Sequence, residues 1–266
     1  MEFHINFQLR APSEIVPWGG DYLSWFGLTD GLLWINAGED TIYEYSQAAE
    51  KLWENDCHYN DYQLSRFLED FSETFSFIRE PIPEPLYDNI HHFIKLVDAW
   101  KEIHINEPDD IFDSFYDHKL EPLRRWFFNR VFDSGHLIGG PLIGCFRCGS
   151  KIKLYWDSDF LLDSGTSIWT SPRGVFEMSY ESFLSEVSRF FCSFFAAMDC
   201  QVEHAVNMDW GNVRLDKQDL IFENSQRKIY FRQCLELLSM DTETPTNWST
   251  IMFLYNEMRN SLGLFA

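Results

Sequence analysis

The feature that most constrains this chain is a twofold change in the spacing of its apolar residues. Up to about residue 40 they come in short runs bounded by turn-forming residues. From residue 60 they recur every three or four positions, as on one face of a helix. Short runs return between residues 142 and 179, and helical spacing resumes after that. Strands grouped together, then helices, then strands and helices again, predict an α+β fold. Antiparallel sheets would pack with several amphipathic helices in a single domain spanning 1–266, with a subdivision at 133/134 as the alternative.

Residues 3–10 read as a strand, broken by Pro12 and by Pro17-Trp18-Gly19-Gly20. Residues 25–36 read as strand, turn, strand. Asp30-Gly31 stands between two apolar runs, and glycine tolerates the positive φ of a tight hairpin turn. Residues 60–80 carry Leu64, Phe67, Leu68, Phe71, Phe75 and Ile78 on one helical face. Pro81, Pro83 and Pro85 end that helix, and Leu86, Ile90, Phe93, Ile94, Val97 and Trp100 continue the period in the next. The short connection predicts that these two helices are antiparallel neighbours. A third helix starts near Pro122. Strands follow at 142–147 and 151–156, and a second pair at 166–170 and 175–179 turns at 171–174. A long helix opens at Ser179 or Tyr180 and runs to about Glu203; residues 216–238 and 248–262 read as two more.

Charge narrows the partners. Forty-two acids against 21 bases give a formal charge of −21. A surface this negative repels phosphate backbones and anionic membrane surfaces, and attracts basic proteins over long range. The start of the chain lacks the basic and apolar regions of a signal peptide, and its greasiest stretch, 190–198, is too short to span a bilayer. Six scattered cysteines read as reduced thiols rather than a disulfide framework. These readings point to a cytoplasmic protein.

Catalytic signatures are missing from the sequence. No Gly-x-Ser-x-Gly elbow, phosphate-binding glycine loop or His-Glu-x-x-His pattern is present. Cys145 and Cys148 have the spacing of half a zinc site, but residues three apart on a strand face opposite sides. Cys200 and His204 share a helical face and read as core or boundary residues. Arg124, Arg125 and Arg130 form a basic spot that nearby acids would neutralise internally. No catalytic residue, metal or cofactor is expected.

The segment 107–117 is different. Glu107, Asp109, Asp110, Asp113 and Asp117 share it with Phe112, Phe115 and Tyr116, and no base interrupts them. Acids interleaved with aromatics suit a surface aimed at a basic partner, whereas a solvated loop with tucked-in rings is the plainer reading. Asp157 and Asp159, with Asp163, form a second acidic loop between predicted strands.

The stretches Phe7-Gln8-Leu9-Arg10, Pro17-Trp18-Gly19 and Trp25-Phe26-Gly27-Leu28-Thr29-Asp30-Gly31 resemble the opening of a bacterial family of unknown biochemical function. Its members occur among the immunity genes beside polymorphic toxins. The resemblance continues through Tyr59-Asn60-Asp61-Tyr62-Gln63-Leu64, Glu69-Asp70, Glu80-Pro81-Ile82-Pro83, Ser134-Gly135-His136-Leu137, Trp156-Asp157 and Ile168-Trp169. It implies a cytoplasmic inhibitor that blocks one cognate toxin domain, and it brings no active site. Glu107, Asp109, Asp110, Asp113, Asp117, Asp157 and Asp159 are then the expected contacts to a basic toxin. The alternatives are an enzyme that reverses the toxin's modification and an adaptor unrelated to toxins.

Overall fold

The computed structural model describes residues 2–17, 20–53, 57–240 and 246–264; Trp18 and Gly19 of the opening motif lie outside them. The elements run β1 (Phe3–Leu9), β2 (Asp30–Ala37), β3 (Asp40–Ile42), α1 (Gln47–Trp53), β4 (Asn60–Gln63), α2 (Leu64–Glu73), α3 (Phe75–Ile78), α4 (Glu84–Asp88), α5 (Ile90–His104), α6 (Asp109–Phe115), α7 (Glu121–Phe128), β5 (Val131–Asp133), β6 (Leu142–Cys148), β7 (Lys151–Asp157), β8 (Arg173–Ser179), α8 (Tyr180–Asn207), α9 (Lys217–Ser239) and α10 (Trp248–Ser261). The α+β expectation holds: both sheets are antiparallel, and helices cover them.

In the first sheet β2 pairs with β1 along one edge, from Phe3↔Ala37 to Leu9↔Gly31, and with β3 and β4 along the other. The second sheet is the meander β5-β6-β7-β8. Alternation along β6 and β7 makes this sheet a shared wall. Ile143, Cys145, Ile152, Leu154 and Trp156 face a first core with α2, α3, α8, α9 and the first sheet. Phe146 and Tyr155 face a second core with α4, α5, α7 and α10. A boundary at 133/134 would cut this sheet between β5 and β6.

Phenylalanines fill the first core. Phe7 of β1 meets Phe190 and Phe194 of α8 at 5.8 and 5.7 Å between ring centres, and Phe67 and Phe71 of α2 close on Phe132 of β5. Each such ring, fully buried, stabilises by about 1.5–3 kcal/mol over an exposed one. The three last helices begin where side chains cap them: Ser179 accepts from the Ser182 N–H, Asp216 from those of Gln218 and Asp219, and Asn247 from that of Thr250.

Several expectations need correction. Asp30-Gly31 is not a hairpin turn; it opens β2. Glycine is required there because a Cβ would lie 2.3 Å from the Gln8 carbonyl oxygen on β1. Residues 25–28 form no strand; Gly27–Thr29 is a 3-10 turn, held by the Thr29 hydroxyl donating to the Phe26 carbonyl, with the Ser65 hydroxyl 2.9 Å from it. Residues 60–63 are strand, not helix, drawn into the sheet by pairing with β2. Residues 166–170 make only isolated bridges, Leu161↔Ser167 and Tyr45↔Trp169. Arg173 and Gly174 belong to β8 rather than to a turn, and the bare Gly174 leaves room for the Trp156 indole, whose Cζ2 would lie 2.1 Å from a Cβ. The helices α2 and α5 enter different cores instead of packing as a pair. Cys200 and His204 are exposed. Cys145 points into the first core and Cys148 toward the second, so the two thiols face opposite sides of β6. Among the described residues, no helix is long and apolar enough to cross a membrane.

Candidate functional site

The acidic segment is helical, not a loop. Pro108 precedes α6, and its restricted ring suits the entry to a helix. Asp109 and Asp110 occupy the first turn, where carboxylates complement the partial positive charge of the helix N-terminus. Phe115 anchors the helix. Its ring is buried against Trp100 at 4.9 Å and stacks on His104 at 4.0 Å, both from α5. With that face held, Asp109, Asp110, Asp113 and Asp117 all point to solvent. Among the described residues none of the four has an ion-pair partner, while Glu107 is engaged by His104 Nδ1 at 3.0 Å. Ile103, Ile105, Ile111 and Tyr116 are exposed on the same stretch of chain; Ile111, at 51 % exposure, lies between Asp110 and Asp113.

Asp157 and Asp159 have other work. Asp157 accepts a hydrogen bond from the Tyr155 hydroxyl at 3.1 Å and sits 3.7 Å from Lys95 and 3.6 Å from Arg173. Asp159 pairs with Arg173 at 2.9 Å. Burial, with Asp157 beside it, pushes the Tyr155 phenol well above its usual range. Lys95 lies nine residues before His104 on α5, about 14 Å along the helix axis. Of the seven expected contacts, Asp109, Asp110 and Asp113 on α6 and Asp117 just beyond it form a face unpaired among the described residues, Glu107 is engaged by His104, and Asp157 and Asp159 are neutralised internally at and after the end of β7. The basic spot is neutralised as expected: Arg124 pairs with Asp98, Arg125 with Glu121 and Arg130 with Glu80.

A polar cleft of about 420 Å³ lies on another face, between α2, the end of α7 and the residues after β5. Arg66, Asp70 and Glu73 project into it from one side of α2, opposite Gly135 and His136. Arg66 Nε lies 2.9 Å from Asp70 Oδ2. Burial raises the Asp70 carboxyl above its ordinary value, and Arg66 offsets part of that. The His136 ring leans on Tyr62 at 4.6 Å. One guanidinium, two carboxylates and an imidazole can hold a small polar group and exchange protons with it. The i, i+4, i+7 spacing of Arg66, Asp70 and Glu73 is legible in the sequence. Their meeting with His136, from a segment singled out only by resemblance, is not.

Among the described residues, the fold and these surfaces define an α+β protein with two sheets, two cores and an unneutralised acidic helix face. The chain belongs to a family of unknown function, DUF5984, whose model matches residues 4–253. No curated protein matches the chain, and no solved structure does.

Proposed function

We propose that this chain is an immunity-type binder that neutralises a basic toxin domain in the cytoplasm by stoichiometric blocking, with α6 at the contact. The observation that carries the reading is the set of four exposed carboxylates, Asp109, Asp110, Asp113 and Asp117, which have no internal ion pair among the described residues and lie beside exposed Ile111 and Tyr116. Several other acids, among them Asp21, Asp98, Asp199 and Glu257, are engaged by arginines or lysines. Unpaired charge costs nothing in water and gains a partner on binding, and neighbouring apolar side chains supply area to desolvate. The −21 formal charge would speed encounter with a basic partner. Titrating toxin activity against the purified chain tests this: inhibition ends at one equivalent if the chain blocks, and substoichiometric rescue contradicts it.

A second reading, an enzyme that reverses the toxin's modification, is favoured by one observation, the Arg66, Asp70, Glu73 and His136 cleft. The variant Asp70→Asn with His136→Ala separates the two. Full protection by the folded variant supports blocking; loss of protection with binding intact supports turnover.

A further inference from the structure

A chain with 42 acids against 21 bases holds a cleft whose lining contains no acid. This cleft, about 350 Å³, lies between the start of α5 and the end of α10. Asn89, the cap of α5, lines it with His92 and Lys95, at the three-residue spacing of one helical face. Tyr255 and Arg259, four apart on α10, line the other side. Leu96 and Leu264 supply apolar walls. We propose that this cleft binds the phosphate group of a small phosphomonoester.

The positive groups here are free to take a ligand. Arg124, Arg125, Arg173 and Arg214 all hold carboxylates. Arg259 holds none among the described residues; its guanidinium carbon lies 5.8 Å from the centre of the Tyr255 ring. Lys95 is half exposed and sits 3.7 Å from Asp157, beyond hydrogen-bonding range. Asp157 keeps Tyr155 and Arg173 when Lys95 turns to a ligand. Asn89 makes no side-chain cap bond, because its amide donates to the Pro85 carbonyl at 3.0 Å. The partial positive charge at the start of the 15-residue α5 therefore stays open to an anion. His92 adds a ring nitrogen that can donate. Tyr255 is 1 % exposed, and its hydroxyl has no hydrogen-bond partner among the described residues. A buried hydroxyl ordinarily has one, and a phosphate oxygen supplies it.

Charge and size select the ligand. A lysine, an arginine and a helix N-terminus match a dianion, and the planar guanidinium grips two phosphate oxygens at once. The cleft is larger than a bare phosphate ion needs and falls in the roughly 300–1,000 Å³ range of small-molecule sites, so its apolar walls have room for an organic body. The formal charge of −21 repels a nucleic-acid strand or an anionic bilayer, whose further phosphates would lie outside the cleft. A molecule with one phosphate places its whole charge inside. The site is separate from the proposed toxin-binding face. His92 precedes His104, on which Phe115 of α6 stacks, by twelve residues, about 18 Å along α5. Loss of phosphate binding therefore leaves toxin inhibition standing, and the reverse.

Isothermal titration calorimetry tests it with four probes: inorganic phosphate, a sugar phosphate, a nucleoside 5′-monophosphate and the same nucleoside without its phosphate. At least one phosphomonoester should bind with Kd below about 1 mM and more tightly than inorganic phosphate, and the tighter of the two identifies the organic body. The bare nucleoside should not bind. Arg259→Gln and Lys95→Gln should each weaken binding about tenfold, the loss of a charge-assisted hydrogen bond, and the double variant should abolish it. Arg125→Gln, a surface base outside the cleft, should change nothing. Circular dichroism controls for folding. Phosphomonoesters that fail to bind, or that bind no tighter than inorganic phosphate, overturn the proposal. So does binding that survives unchanged in the folded double variant.

Discussion

Glu80 is 3 % exposed and Arg130 is fully buried, and removing the Glu80 carboxylate should be among the most damaging single changes to this fold. Glu80 accepts from Arg130 Nη2 at 2.6 Å, from the Thr246 N–H at 3.2 Å, from the Thr246 hydroxyl at 2.7 Å and from Trp248 Nε1 at 3.0 Å. It thereby ties the start of α10 to the end of α7. Burial pulls the Arg130 guanidinium down to about 10, still charged at neutral pH, and Trp126 and Trp248 flank it with their rings. In Glu80→Ala that charge stays buried without its counterion, a loss of about 3–5 kcal/mol for a broken buried pair. Each kcal/mol moves the midpoint of a chain near this size by about 2–4 °C, so calorimetry should show a Tm lower by about 6–20 °C. Replacing both partners, as in Glu80→Leu with Arg130→Met, should recover much of the loss, because no unpaired charge then remains. A Glu80→Ala midpoint within about 2 °C of wild type would refute the reasoning.

Gly31→Ala should destabilise by about 1–3 kcal/mol, the usual range for overpacking, because the new Cβ meets the backbone of β1; an unchanged urea midpoint contradicts the close-approach account. His4 is held above its ordinary 6.5 by hydrogen bonds to Glu2 and Glu186. Its contribution to stability is therefore complete below 6.5 and fades as pH rises through the higher folded value. Denaturation of His4→Ala beside wild type should show a deficit below pH 6.5 that shrinks as pH rises above it, and a deficit that grows with pH is the wrong sign.

The long helices were legible because their evidence is local. Phe183, Val187, Phe190 and Phe194 repeat at helical spacing and all are buried, and α8 starts at the predicted Tyr180. What failed were residues whose reasons lie elsewhere in the chain. Gly31 looks like a turn glycine, yet the Gln8 carbonyl is what excludes a side chain. Residues 60–63 carry no alternation of their own and become strand only because the β2 edge is there to pair with. The acids at 107–117 look like a loop, and α6 exists because Phe115 finds Trp100 and His104. The candidate contacts divide for the same reason. Nothing near Asp157 in sequence reveals Lys95 or Arg173, so its neutralisation could not be read, whereas α6 exposes its acids through short-range periodicity.

The central claim is that the unpaired face of α6 binds a basic toxin domain. Surface plasmon resonance of the product of the adjacent gene, the proposed toxin, tests it, using wild type and the variant Asp109→Lys, Asp110→Lys, Asp113→Lys at two salt concentrations. Exposed charges act mainly on association and its salt dependence, and contribute little to folding. The account predicts a folded variant that associates more slowly, with a flatter salt dependence, and that protects poorly in the activity titration. A folded variant with the association rate, dissociation rate and salt slope of wild type would contradict it.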